Sequence, residues 1–528
     1  MFSARSTRLS SSRISVLFPI LLLLFAAGLT AGCGSGGSPA PPKFSGNTSV
    51  TVVLSSSAND QLTEFDLILQ TLSLTSQSGN TVNVLTTPQG FEFIHLNGQI
   101  EPLITVSIPQ DIYTSATMTI GSSQFTCLTE IPGGGLDSST FAYGYTPNAN
   151  VTATLPSPIT ITGNSMGLSL DLQVLQSATY SECYDPNDLY TYSITPAFNV
   201  TPTIFSSSPT NPANGEVRGV DGEITTIEPG NSFLVSISEG FALPRSVLIN
   251  TAGSTQYQGI SGFSGLAVGT FVDLDATLQP NGLTATRVAV EDPSAVDVLV
   301  GPLMFVDEYA PSLTMWARDQ QGADFIDTHV LGGQDFSFDS AAFQISGALS
   351  NLQSLPFVPS FNGSNMVPGQ NLYIASPKLV YTSNPYTELQ TITLVPQAIN
   401  GSIVGSSQNG SFTDYTVSLA PYDLFPQLAV QQGQNTLLNN PSQVEVYVDS
   451  NTQMLNTTSL SAGNTLRFYG LVFNDNGTLR MDCAQVNDGV AETAPTNANS
   501  RPELGTAQTI RRQGAGPRPQ TLTQMHSH

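Results

Sequence analysis

Short runs in which apolar and polar residues alternate recur along nearly the whole chain, with Gly, Asn and Pro as punctuation between them. "SVTVVLSS" (49–56), "LITVSI" (103–108), "SATMTIG" (115–121) and "LSLDLQVL" (168–175) are examples. Successive strand residues point to opposite faces, so this period builds half-buried strands. No long amphipathic helix is visible beyond the N-terminal region. The fold class that follows is all-β, with sandwiches or barrels made from closely spaced strands. At 528 residues the chain exceeds what one core accommodates, so several domains are expected.

The punctuation divides the chain. Strands run from about residue 48 to 202, including "FDLILQTLSLTSQSGNTVNVL" (65–85), a hairpin turning at Gly79-Asn80, and "FEFIHL" (91–96), read as a strand. "FSSSPTNPANG" (205–215) reads as a linker. A weak internal repeat follows. Each unit opens with a glycine-containing strand, a turn and a strand: "GEVRGVDGEITTIEPGNSFLVSI" (215–237), "VDVLVGPLMFVDEYAPSLTMWA" (296–317) and "INGSIVGSSQNGSFTDYTVSL" (399–419). Each closes with a glycine-led strand, a turn and a strand, beginning at Gly269, Gly369 and Gly463. Asn281-Gly282 and Asn476-Gly477 read as tight hairpin turns that need positive φ at both central residues. The expected order is a β-sandwich at 48–202, a linker at 203–214, and three small OB-like barrels at 215–296, 297–398 and 399–487, the middle one with an insertion near 325–365. A tail at 488–528, poor in large apolar residues, is expected to be disordered.

The first residues carry an address. Arg5, Arg8 and Arg13 precede the apolar stretch Ile14–Leu29, and small residues follow it. This is the pattern of an export signal, expected over 1–32. Cys33 directly after Ala31-Gly32 resembles a bacterial lipobox, with Thr30 where that family usually has leucine. The resemblance implies a diacylated cysteine, and multiple acyl chains anchor stably to a bilayer. Gly34, rather than aspartate, after the cysteine favours the outer membrane or cell surface where a cell has two membranes. "GSGGSPAPPKFSG" (34–46) is a flexible tether, expected over 33–47.

Charged residues are only 10% of the chain, against about 25% in ordinary domains. The net charge is −24, and removing the segment before Cys33 takes away three arginines and no acid. No basic patch is available for phosphates, which argues against nucleic acid as a partner. The partners left are the membrane, through the lipid, and glycans or envelope proteins.

Two segments resemble uncharacterised families of exported bacterial lipoproteins. "SVTVVLSS", "FDLILQTLSL" and "EPLITVSIPQDIYTSATMTI" (101–120) are similar to a prealbumin- or carbohydrate-binding-like sandwich family. "VRGVDGEITTIEPGNSFLV" with "GLAVGTFVDLDATLQPNGLTATRV" resembles a small barrel family found in tandem, and residues 215–487 look like three copies. Both resemblances imply fold and neither supplies a catalytic motif.

The search for chemistry gives few candidates. Gly163-Asn164-Ser165-Met166-Gly167 matches a nucleophile elbow in letters, but a strand follows it where the elbow needs a helix. Asp273 and Asp275 share one strand face, as a general acid and base would, and as any exposed strand face does. Glu182, Asp185, Asn187 and Asp188 form an acidic loop beside Cys183 that is a weak structural-calcium candidate. No other cofactor is expected. Cys127 and Cys183 are a candidate disulfide closing a loop of about 57 residues, worth roughly 4 kcal/mol on the chain-entropy model. Cys483 is expected as a buried thiol on a strand, and Trp316 as core. Tyr143, Tyr145, Tyr184 and Tyr190 are candidate sugar-stacking residues. The expected function is a non-enzymatic envelope lipoprotein that binds, spaces or supports. The alternative is a carbohydrate-binding surface lipoprotein, and a carboxylate-dependent glycan hydrolase is the more distant one.

Overall fold

The computed structural model describes residues 44–56, 62–130, 136–153, 155–180, 192–203, 205, 216–237, 245–292, 296–307, 311–321, 333–347, 352–377, 387–421, 423–431 and 437–491. Cys33, Cys183, Glu182, Asp185, Asn187, Asp188, Tyr184 and Tyr190 lie outside them, as do residues 206–215, which include most of the linker expected at 203–214, and residues 492–528. Among the described residues the protein is nearly all β, as the alternation requires.

The first domain has twelve strands: β1 (Asn47–Ser56), β2 (Leu62–Ser76), β3 (Thr81–Leu85), β4 (Gln89–Glu92), β5 (Glu101–Pro109), β6 (Asp111–Glu130), β7 (Leu136–Ala153), β8 (Ile159–Ile161), β9 (Ser165–Leu172), β10 (Ala178–Tyr180), β11 (Tyr192–Ile194) and β12 (Phe198–Thr203). A single helical turn, α1 (Val174–Ser177), follows β9. One sheet runs β12-β9-β1-β5 and a second runs β3-β2-β6-β7, with β4 on β2 and β8 on β6. Their facing apolar positions, among them Val50, Val52, Phe65, Leu67, Phe91, Met118 and Leu170, form one core. The pairing is antiparallel except for β1 with β9, which is parallel. "FEFIHL" is strand only as far as Glu92. The Glu92 carboxylate accepts the Ile94 and His95 backbone N–H groups at 2.7 and 3.0 Å, so those donors leave the ladder and the chain turns.

The next unit contains β13 (Glu216–Glu228), β14 (Ser232–Ile237), β15 (Arg245–Gln258), β16 (Phe271–Gln279) and β17 (Gly282–Val290). They close in the order β13-β14-β15-β17-β16, with β15 and β17 parallel and β16 returning to β13. This 1-2-3-5-4 closure is the OB-like Greek-key barrel expected from the sequence.

The last unit repeats it. Its strands are numbered after those of the middle unit, β18 (Asp297–Val306), β19 (Ser312–Trp316), β20 (Asp319–Gln321), β21 (Gly333–Ser337), β22 (Ala342–Ile345), β23 (Asn371–Ser376), β24 (Thr387–Glu388) and β25 (Thr391–Leu394). It comprises β26 (Gln397–Asn409), β27 (Phe412–Leu419), helix α2 (Leu424–Gln431), β28 (Gln443–Val448), β29 (Gln453–Leu455), β30 (Thr465–Asp475) and β31 (Thr478–Asn487). β26, β27, β28, β31 and β30 close in the same order, with β28 and β31 parallel.

In the middle unit the hydrogen-bonded path ends at β24 and β22, but the chain closes it, β24 running on into β25 and β21 into β22. β24 pairs with β21, and β25 pairs with β23 and β22. The two residues between them stay bonded, Leu389 N–H to the Ser337 carbonyl at 2.8 Å and Gln390 N–H to the Ala375 carbonyl at 3.0 Å. The fifth strand is thus broken into two and the third into β21 and β22. The strand order is otherwise that of the two closed barrels.

A backbone signature proves the repeat. The N–H groups of Gly269, Gly369 and Gly463 donate to the carbonyls of Ile224, Leu303 and Ile403 at 2.9, 2.7 and 2.8 Å. In return the N–H groups of Ile224, Leu303 and Ile403 donate to Thr270, Gln370 and Asn464. All three glycines are left-handed, with φ of 86°, 102° and 91°, a conformation glycine reaches without steric cost. The first-strand glycines Gly222, Gly301 and Gly401 pair with Val272, Leu372 and Leu466, three residues beyond those left-handed glycines in every copy.

One hairpin differs from expectation. Asn476-Gly477 has positive φ at both residues, 52° and 88°. At Asn281-Gly282 only the glycine is left-handed, because the turn residues are Pro280 and Asn281 and proline holds φ negative.

The units are interlocked by buried contacts. Val53 of the sandwich belongs to the core of the first barrel. Phe412, Tyr447, Leu471 and Phe473 of the last barrel share a core with the middle one, and Phe357 of the inserted segment packs its ring on Tyr447 and Phe473. Trp316, 1% exposed, lies with Met304 against Leu424 and Leu428 of α2. The last barrel returns to the sandwich: Arg467 on β30 grips Asp171 on β9 through two bonds of 2.7 and 2.9 Å. Residues 488–491, expected to belong to the tail, are part of the folded body. Asn199 donates to the Gly489 carbonyl, Arg467 and Gln173 donate to that of Val490, and the Val490 side chain is buried.

Candidate functional site

Asp273 and Asp275 stand two apart on β16 and share a face, as the sequence implies. Both are taken by one cation. Arg287 Nε donates to Asp275 Oδ2 at 2.7 Å and its Nη2 to Asp273 Oδ2 at 2.6 Å. Asp275 Oδ1 also accepts the Gly219 N–H at 3.0 Å. Charge-assisted bonds of this length fix both carboxylates.

The residue facing Asp273 across the ladder is Asp221 on β13, which the sequence reading missed. Burial, then the neighbouring Asp273 charge, pushes Asp221 well above the usual carboxylate range. Asp273 is raised by burial, while Arg287 pulls it back. Tyr373 of the middle barrel stands close enough for burial, then Glu291, Asp273 and Asp221, to push its phenol up to about 12. The first and middle barrels therefore meet across an acidic face in which burial favours the protonated form of both Asp221 and Asp273. Carboxyls with raised proton affinity are the raw material of acid–base chemistry. Here Asp273 and Asp275 are both bound to Arg287.

A second polar centre lies where the sandwich meets the first barrel. His95 Nδ1 contacts Glu92 Oε2 at 2.9 Å and His95 Nε2 contacts Glu101 Oε1 at 3.0 Å. Arg245 of β15 pairs with the other oxygen of Glu101 and lies 5.2 Å over the Phe91 ring. None of these four titratable side chains was singled out as a site by the sequence.

The remaining candidates are placed as follows. Ser165 opens β9, with left-handed Gly163 before it and a strand after it, so the elbow motif is a turn between strands. Tyr143 and Tyr145 lie on β7 opposite Thr126 and Gln124, and Cys127 on β6 opposite Leu62 and Ala142. Their side chains lie outside the described residues, as does the calcium loop. Among the described residues no group of three or more His, Cys, Asp or Glu is arranged to hold a metal ion.

Cys483 sits in the core of the last barrel, 1% exposed, and its thiol is directed to the Gln485 carbonyl. Burial pushes that thiol far above its ordinary range, and the adjacent Asp482 adds to the effect. A thiolate is the reactive form, so Cys483 is expected to resist maleimide in the native protein and to label within minutes in denaturant. Mass spectrometry of the 483-containing peptide checks this.

A family model described as a domain of unknown function, DUF5666, matches residues 221–289, from the middle of β13 to the end of β17. These residues form a DUF5666 domain. Asp221, Asp273, Asp275 and Arg287 all belong to it. The middle and last barrels share its strand order and glycine signature. Among curated proteins none matches the chain.

Proposed function

We propose that this chain is a lipid-anchored cell-envelope protein whose folded body serves a non-enzymatic structural or binding role. The N-terminal pattern supplies the anchor: a basic, then apolar, then small-residue segment ending at Cys33, followed by a Gly/Ser/Pro tether. The observation that carries the role is the interlocking of the sandwich and three barrels through shared cores and buried ion pairs. A chain of independent modules would extend as a spacer. This one folds into a single compact unit, which favours support or binding over spacing. The carboxylates that a glycan hydrolase would need, Asp273 and Asp275, are both engaged by Arg287.

The test is intact mass and membrane fractionation of wild type and Cys33→Ser from an exporting bacterial host. Wild type is expected in the membrane fraction with a mass gain matching acyl chains, and Cys33→Ser is expected to be soluble. An unmodified, soluble wild type would overturn the anchor. Binding of isolated envelope glycans and envelope proteins to the acylated protein then tests the role.

A further inference from the structure

The contact between the sandwich and the first barrel runs through a line of four titratable side chains. Glu92, at the end of β4, accepts backbone N–H groups from Phe65, Ile94 and His95 and meets Nδ1 of the His95 ring. Nε2 of the same ring meets Glu101 at the start of β5, and Glu101 meets Arg245 at the start of β15. The side chains are nearly sealed: 5% exposed for Glu92, 11% for His95, 7% for Glu101 and 5% for Arg245. A neutral imidazole donates at one nitrogen and presents a lone pair at the other. With both carboxylates ionised and an oxygen of each 2.9–3.0 Å from a ring nitrogen, only the ring carrying both hydrogens satisfies both contacts.

We propose that this junction is a proton-held latch, closed while the His95 ring carries both hydrogens and opened, between the sandwich and the barrels packed on it, when the proton leaves.

The groups around the ring all lean the same way. From its own domain it faces Glu92 and Glu101. Behind Glu92 stand Asp66, opposite it in the ladder, and Glu64, two residues before Asp66 on β2. Gln124 on β6 donates to Asp66 at 2.7 Å. From the first barrel come Arg245, through Glu101, and, near Asp319, Asp273 with its own Arg287. From the middle barrel comes Asp319 of β20, whose nearest charges include His95, Glu92 and Asp273. Carboxylates outnumber cations, and they come from three domains. Burial, then Glu64 and Glu92, push Asp66 well above its ordinary range. Burial likewise raises Asp319, with the His95 charge opposing. An acid raised in the folded state holds a proton that the unfolded chain has released. Its contribution is therefore greatest at acid pH and is lost as pH rises from the ordinary range near 3.8 through the raised value. The imidazolium has the same sign. Closing the junction takes up protons, and raising the pH works against closure.

The chain has four histidines, so the intact protein labelled with ¹⁵N in its histidine rings gives a readable spectrum. The expected result is a His95 ring protonated at both nitrogens at pH 6. As pH rises through loss of that signal, the Ile94 and His95 amides are expected to lose protection in hydrogen exchange. After correction for intrinsic base catalysis, the loss should be about tenfold per pH unit for one linked proton. The radius of gyration should grow over the same range. Asp319→Asn, at the half-buried rim, is expected to shift opening to higher pH, and His95→Gln to remove the part of the proton dependence that follows the ring's titration. A singly protonated ring in a fully protected protein would overturn the proposal. So would protection that is flat across the ring's titration. If His95→Gln fails to fold, wild type and Asp319→Asn still decide: an Asp319→Asn profile identical to wild type counts against the latch.

Discussion

Arg467→Met is expected to destabilise the protein by about 3–5 kcal/mol, the range for removing one partner of a buried ion pair. Arg467 and Asp171 are 5% and 0% exposed at the side chain, so neither can recover its hydration in place. With arginine gone, Asp171 keeps the Ser55 hydroxyl at 2.6 Å and the Gln173 amide, but loses both guanidinium bonds. The Val490 carbonyl loses its 2.7 Å donor and keeps the weaker 3.2 Å bond from Gln173. The damage should therefore appear in two places. Guanidinium denaturation reports the stability loss. Limited proteolysis should cut the 488–491 segment early, because it is held by Arg467 of the last barrel together with Gln173 and Asn199 of the sandwich. Arg467→Lys should recover less than half of the loss, since an ammonium cannot reproduce the planar two-point contact. A stability unchanged within about 0.5 kcal/mol would mean that the last barrel does not depend on this pair for its seat on the sandwich.

The same pair shows where sequence reading stops. In "TLRFYG" the inward residues are Leu466 and Phe468, and in "LSLDLQ" they are Leu168, Leu170 and Leu172. Alternation correctly assigns Arg467 and Asp171 to the outer faces of their strands. It carries no information on whether another domain covers that face, and here each covers the other. The strands, the glycine-led repeat and the shared face of Asp273 and Asp275 were legible because they depend on local period and turn chemistry. Arg287 was not. Counting back from the turn pairs Gln279 with Gly282 and would set Asp275 against Thr286, leaving Arg287 on the opposite face. The ladder instead slips by one residue between Asp275 and Ala276, so Arg287 comes opposite Asp275. Such a bulge turns a side chain from one face to the other and has no marker in this stretch. The middle barrel was the hardest to read because its third and fifth strands are each broken into two short pieces, too short for a period to show.

Gly301→Ala is expected to be the most damaging glycine-to-alanine change among the described residues, on the order of 4 kcal/mol or loss of the folded middle barrel. Gly301 lies on β18 where β19 crosses it, and an added Cβ would fall on the carbonyl oxygen of Trp316. A flexible side chain could swing aside, but a backbone oxygen cannot move without the strand. That strand also carries Trp316, which holds the middle barrel against α2, so the disturbance reaches the next domain. The repeat provides a graded series. At the equivalent Gly401 the new Cβ would lie 2.6 Å from the Ser418 carbonyl oxygen and 2.5 Å from a Val417 methyl, and at Gly222 2.5 Å from both the Ser236 oxygen and a Val235 methyl. These should cost less than Gly301→Ala. Gly405, on the same strand as Gly401, has only ordinary contacts at 3.8 and 3.9 Å, so Gly405→Ala should be neutral within about 0.5 kcal/mol. Soluble yield and thermal midpoints of the four variants check the order. If Gly405→Ala were as harmful as Gly401→Ala, the cost would belong to strand glycines in general. The expected order instead ties it to the one place in each barrel where the second strand crosses the first too closely for any side chain.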